Sequence, residues 1–396
     1  MQQDPIVIVG AARTPMGGFQ GSLTPLSAPE LGGYAIQGAV ERAGVSPEDV
    51  QDLIMGLCLF AGVKQAPARQ AAHLAGIPWD AGATTISKMC GSAMKATMLA
   101  HDNILAGSHD IMVAGGMESM TNAPYILPKA RGGYRLGNGD TVRDHMFMDG
   151  LEDAYDEGRL MGTFAEDTAE HYQFTREAQD NYAIESLTRA KKAVEDGSFD
   201  DEVVPVTVKT RKGEMMVTSD EQPFNANIEK IPQLKPAFRK DGTVTPANSS
   251  SISDGAAALV LMKRSEAEKR GLTPKALIHA HSTHSQEPNW FTTAPIGAVK
   301  KVLEKTGWSK EEVDLFEVNE AFAVVAMAAM RALDIPHDKI NVHGGACALG
   351  HPVGASGARI IVTLMSALEK YNLNKGVASL CIGGGEATAV SIERLN

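Results

Sequence analysis

The chain repeats itself, and that repetition constrains the fold more than any single motif. Residues 41–56, "ERAGVSPEDVQDLIMG", return as residues 304–319, "EKTGWSKEEVDLFEVN", at a constant offset of 263. Gly44 falls on Gly307, Ser46 on Ser309, Glu48 on Glu311 and Val50 on Val313. Each copy reads as a helix stopped by a glycine, a serine-capped turn and a buried strand. Carried forward, the offset sets Cys90-Gly91 against Val353-Gly354. Both small-residue stretches open helix-like runs, 94–105 and 358–368, and each run is followed by an apolar strand ending in glycines, 111–119 and 378–387. Two similar α/β halves, each too open to cover its own sheet, are expected to pack about a pseudo-two-fold axis. Glycine-rich strand ends and helix starts then meet at the seam, where open α/β sheets bind ligands.

Between the repeats the texture changes. Residues 121–249 are rich in glycine, proline and charge, as in "KARGGYRLGNGDTVRDH". They include one amphipathic helix over 175–196, opened by a threonine cap and early acids, and then a β-like stretch, "EVVPVTVKT". The expected division is an N-terminal half over 1–270, holding this inserted domain, and a C-terminal half over 271–396. A net charge of −11 argues against a general nucleic-acid or anionic-membrane partner. The longest apolar run, 321–330, is too short to span a bilayer. The N-terminus lacks the features of a leader, and four cysteines in 396 residues do not make a disulfide scaffold. The expected setting is a reducing cytoplasm.

Four short stretches carry chemistry. In "TISKMCGSAMKA", Cys90 stands where a β-type run gives way to a helix, with Gly91, Ser92 and Ala93 behind it. Small neighbours suit close packing; a helix N-terminus also favours a thiolate. "FEVNEAFA" puts Asn319 at a strand end, where it is either a helix cap or a ligand-facing amide. "GGACALGHPVGASGAR" holds His351 in a glycine-bounded loop, and "CIGGGEA" sets Cys381 before three glycines whose N–H groups a ligand can approach closely. Two cysteines, a histidine, an amide and free N–H groups at one seam are the parts required for acyl transfer through a thioester.

These stretches, with "RTPMGGFQGSL" and "ANSSSISDGAAAL" (247–259), resemble the thiolases in order and spacing over nearly the whole chain. The resemblance implies a five-layered αβαβα fold of two similar halves with an inserted loop domain, and a homotetramer. It implies a CoA-dependent acyltransferase of fatty acid metabolism, acting on acyl-CoA and CoA with no tightly bound cofactor. Cys90 would carry the acyl group, His351 would help deprotonate it, and Cys381 would move the α-carbon proton. Asn319 through a water, with His351, would hold one thioester oxygen; the N–H groups of Cys90 and Gly383 would hold the second oxyanion. Met161, Phe238, Ser250, Ala321 and Phe322 are expected against the substrate, with Ser250 and Phe238 as a pantetheine wall. Leu160 stands where short-chain members carry a histidine, which widens the expected chain-length range. Two rivals share the fold. A decarboxylating ketoacyl synthase would need a histidine in place of Cys381, and a silent lipid-binding relative would lack Cys90 or His351. The run "HAHSTHS" places His279, His281 and His284 at a ligand-like spacing, but with no acid or cysteine beside it no metal is expected.

Overall fold

The computed structural model describes residues 4–137 and 142–395. In the first half, strand β1 (Ile6–Arg13) leads to helix α1 (Ala28–Ala43), β2 (Asp52–Gly56), β3 (Gly82–Ile86), α2 (Ser92–Leu105) and β4 (Ile111–Ser119). Helices α3 (Met161–Tyr172) and α4 (Arg176–Glu195) then precede β5 (Ser253–Lys263). The second half runs β6 (Ala276–Ser285), α5 (Ala294–Thr306), β7 (Leu315–Val318), α6 (Ala323–Leu333), α7 (Ser356–Lys370), β8 (Lys375–Ile382) and β9 (Glu386–Arg394).

The repeat is visible in these elements. Helices α1 and α5 both end on a left-handed glycine, Gly44 at φ 68° and Gly307 at φ 72°. Ser46 and Ser309 then each close a capping box over one short turn, with Asp49 and Glu312 as the reciprocal partners. At the next helices the offset grows to 264, since α2 starts at Ser92 and α7 at Ser356. Cys90 therefore corresponds to Gly354 rather than to Val353.

The strand order is β7-β8-β9-β6-β1-β5-β4-β2-β3, with the two halves joined where Val7 meets Leu277 and Ile8 meets Ala276. Pairings mirror each other across that join: β2–β4 and β7–β8 are parallel, β4–β5 and β8–β9 antiparallel. Side-chain alternation along the strands builds the layers. On β5, Ala256, Ala258, Val260 and Met262 face an outer core under α1, whereas Ala257, Leu259 and Leu261 face a central core filled by α2 and α7. The inner face of the second half's strands, through Ala378, Leu380, Val390 and Ile392, closes the same central core. Their outer face, through Val377, Ala387 and Ala389, packs under α5 and α6. Two outer cores and one central core that surrounds the middle helix layer on both faces make the αβαβα arrangement.

The central layer is tight because glycine lines it. A Cβ at Gly116 on β4 would run into the carbonyl oxygen of Gly354, and one at Gly357 into the backbone N of Met94. Helix α4 starts as its cap requires, with the Thr175 hydroxyl accepting the Ala178 N–H at 3.1 Å. No described helix is long and apolar enough to cross a membrane.

Candidate active site

Cys90 stands two residues before α2, on a turn that the chain folds under some strain. Met89 is left-handed at φ 47°, a sparsely populated region for a non-glycine residue. The Ser92 hydroxyl holds this turn, accepting the Lys88 N–H at 2.8 Å and donating to the Met89 carbonyl at 2.6 Å. Gly91 lets the other half approach closely, since a Cβ there would strike the Cδ1 of Ile382 on β8, which would have to turn aside.

Two backbone N–H groups, those of Gly383 in the second half and of Cys90 itself, favour a thiolate here. Burial nevertheless pushes the thiol up to about 11. The helix start alone suggested a thiolate; with the second half packed over it, desolvation outweighs the N–H groups and the resting group is a thiol. Cys381, next to last on β8, is fully buried, and its thiol is raised by burial and then by Cys90.

His351 lies in the loop before α7, 6% exposed. Its Nδ1 is 2.6 Å from the Ser356 hydroxyl, which itself donates to the Pro352 carbonyl at 2.9 Å. A hydroxyl has one hydrogen, so Nδ1–H is the donor and the lone pair sits on Nε2. Nε2 has no partner among the described residues. Burial, then Arg359, push the imidazole down to about 3, so it is neutral.

Asn319 is buried at the end of β7, with its side-chain amide 3.4 Å from His351 Nδ1. It is not a helix cap, because α6 begins at Ala323 after Phe322. The adjacent Glu320 is fully buried and holds the histidine loop from beneath. Its carboxylate accepts from Tyr182 Oη (2.9 Å), Ser186 Oγ (2.7 Å), Asn341 Nδ2 (2.8 Å) and the Cys347 N–H (3.1 Å).

The residues expected against substrate gather on one side of the Gly383 turn. Among the described residues, a Cβ on Gly383 would meet only Met161 Sδ, at 3.6 Å. Gly162 lies against the Phe238 ring, which meets Phe322 edge to face at 6.0 Å. The Ser250 N–H donates to the Ala321 carbonyl at 2.9 Å. Leu160 caps α3 immediately before Met161.

Two residues were not found from the sequence. Ser356 lies in the motif that carries His351, but a serine in a small-residue run gives no sign of its partner. Glu118 is fully buried and accepts N–H groups from Cys58 (3.0 Å), Leu59 (3.2 Å) and, across the seam, Gly354 (2.9 Å). Burial pushes its carboxyl up to about 7. Cys58 follows β2 and donates to the Met89 carbonyl at 3.1 Å beneath the Cys90 turn.

The thiolase N-terminal domain model matches residues 6–265 and the thiolase C-terminal domain model residues 272–394. The chain is 47% identical over 391 residues to an acetyl-CoA acetyltransferase of Cupriavidus necator, covering 98% of this chain and 99% of that one. The fold superposes on the crystal structure of the Bacillus anthracis acetyl-CoA acetyltransferase with TM-score 0.96, at 43% identity and 99% coverage of both. It superposes on the Acat5 thiolase of Ascaris suum, solved in complex with coenzyme A, with TM-score 0.93 at 42% identity, covering 99% of this chain and 100% of that one. The chain belongs to the thiolase family and is an acyltransferase that condenses or cleaves acetyl units carried on coenzyme A.

Proposed function

We propose that Cys90 carries the acyl group between two coenzyme A thioesters. The observation that carries this reading is the convergence on one sulfur of N–H groups from both halves, with Cys381 as its neighbour. In thiolysis His351 Nε2 takes the Cys90 proton and the sulfur attacks the ketone carbon of a 3-ketoacyl-CoA. The bond between the α and β carbons breaks and leaves an acetyl-CoA enolate, which the Cys381 S–H protonates at carbon. The thiol of CoA then gives its proton to the Cys381 thiolate and attacks the acyl-Cys90 thioester; the bond to the Cys90 sulfur breaks, His351 returns its proton to that sulfur, and shortened acyl-CoA departs with all three groups restored. In condensation the same steps run backwards from two acetyl-CoA molecules.

Attack on each carbonyl and cleavage of the carbon–carbon bond put charge on an oxygen, and the donors nearby support the following roles. The N–H groups of Cys90 and Gly383, which favour charge on that sulfur, are read as the donors to the oxyanion on the acyl-enzyme side. Asn319, through a water, and His351 serve the enolate oxygen. Loss of one such donor typically costs about 3 kcal/mol of transition-state stabilisation. The pantetheine arm is read as lying along Ser250 and Phe238, with Met161, Ala321 and Phe322 around the acyl end.

The finer reading continues from these assignments. Coenzyme A is a substrate, and no tightly bound cofactor enters the reaction. The working form is a cytoplasmic homotetramer of fatty acid metabolism, divided into halves at about 1–270 and 271–396 with the loop domain inserted at 121–249. The 122–145 segment, of which 138–141 lie outside the described residues, supplies subunit contacts; light scattering by a monomer at micromolar concentration would refute this. A coupled assay with acetoacetyl-CoA and CoA tests the activity: turnover by the wild type and none by Cys90→Ala are expected, and turnover by that variant excludes the role given to Cys90.

A further inference from the structure

We propose that His101, Asp102 and His281 form a binding site for one late first-row divalent metal ion, of the zinc type, that staples the two halves together. His101 and Asp102 lie in the C-terminal part of α2, about 16 Å along the helix from Cys90. His281 belongs to β6 of the other half, 179 positions away from Asp102.

The three side chains already converge. His281 Nε2 is 2.8 Å from Asp102 Oδ1, and His101 Nδ1 is 3.0 Å from the same oxygen. The two imidazoles meet edge to face with centroids 5.1 Å apart. One ligand atom from each residue lies within 4.8 Å of the others. Tetrahedral zinc with bonds near 2.0–2.1 Å needs donors about 3.3 Å apart, so entry of the ion asks for small shifts. Two imidazole nitrogens with one carboxylate oxygen suit zinc, cobalt, nickel or copper; magnesium and calcium take oxygen ligands.

A backbone irregularity aims His281 at this point. The pairing of β6 with β9 slips between Ile278 and Ala280, leaving His279 as an extra residue. Before the slip, Ala276 and Ile278 face the central core; after it, Ala280 packs toward the outer core and His281 turns inward to α2. Bulges re-aim side chains in this way. Regular alternation would have sent His281 to the opposite face. Access is open, because His101 lines a surface cleft of about 610 Å³ beside Leu105 and His279, and the Asp102 side chain is 51% exposed. Three protein donors leave a fourth position for water.

The test is titration of tag-free wild-type protein with Co²⁺, followed by visible absorption and by melting temperature. One equivalent per chain is expected, with the weak bands of a nitrogen and oxygen site, no sulfur charge-transfer band, and a melting temperature that rises with added metal. His281→Gln and Asp102→Asn should each abolish binding while thiolysis is unchanged; His284→Gln and Cys90→Ala should keep it. Two such variants, with the wild-type spectrum itself, keep the test decisive should one substitution prevent folding. Absence of binding overturns the proposal. So does binding that survives His281→Gln, or a sulfur band that disappears in Cys90→Ala.

Discussion

The imidazole of His351 donates through Nδ1 to Ser356 Oγ at 2.6 Å, and the Ser356 hydroxyl donates in turn to the Pro352 carbonyl at 2.9 Å. That pair fixes the tautomer which leaves Nε2 basic. Ser356→Ala should therefore lower kcat/KM for thiolysis by about ten- to a hundredfold, the effect of losing one buried hydrogen bond to a reacting group. Little change in KM is expected. Wild-type kinetics in the variant would remove Ser356 from the mechanism.

The resting pair is a thiol beside a neutral imidazole. Burial holds Cys90 up at about 11 and His351 down at about 3. The thiol is lost only as pH rises toward the upper value, and the imidazole gains charge only as pH falls toward the lower one. Iodoacetamide needs the free thiolate, so its rate of reaction at Cys90 should still be climbing past the ordinary thiol value of 9.0. A plateau near neutral pH, the mark of a thiolate–imidazolium pair, contradicts this account.

Cys381→Ser separates the two halves of the reaction. A hydroxyl is a far weaker carbon acid–base group than a thiol, so exchange at the α-carbon should fall by roughly a hundredfold or more. Acetylation of Cys90 should stay close to the wild-type rate. Rapid-quench measurement of both steps decides the matter, and equal losses in the two would refute the division of roles.

Acyl-chain length is expected to turn on Leu160, which caps α3 beside Met161. An apolar side chain there offers each added methylene about 0.8 kcal/mol at best, or roughly fourfold in rate. Activity on 3-ketohexanoyl-CoA as well as on acetoacetyl-CoA is the expected outcome. A kcat/KM ratio of the longer to the shorter substrate far below one would restore a short-chain enzyme.

Local pattern carried much of this molecule. The repeated glycine stop, capped serine and strand were legible because each depends on residues a few positions apart. The reactive stretches were legible as types, since glycines and a cysteine at a helix start have local meaning. Long-range burial was not. The helix start at Cys90 pointed to a thiolate, and only the second half packed over it reverses the sign. The acid that meets His281 is Asp102, far away in the chain, and a bulge at His279 turns His281 toward it. Adjacent sequence could not show that partner. Glu118 likewise acquires its meaning from Gly354, 236 positions away.

The central claim is that acyl transfer passes through the sulfur of Cys90. Incubation of the wild-type protein with acetyl-CoA, followed by rapid acid quench, proteolysis and mass spectrometry, tests it without reliance on any variant. The account predicts one acetyl adduct, on the peptide containing Cys90, that disappears when CoA is added before the quench. An adduct on Cys58, Cys347 or Cys381 instead, or full turnover with none on Cys90, would contradict it.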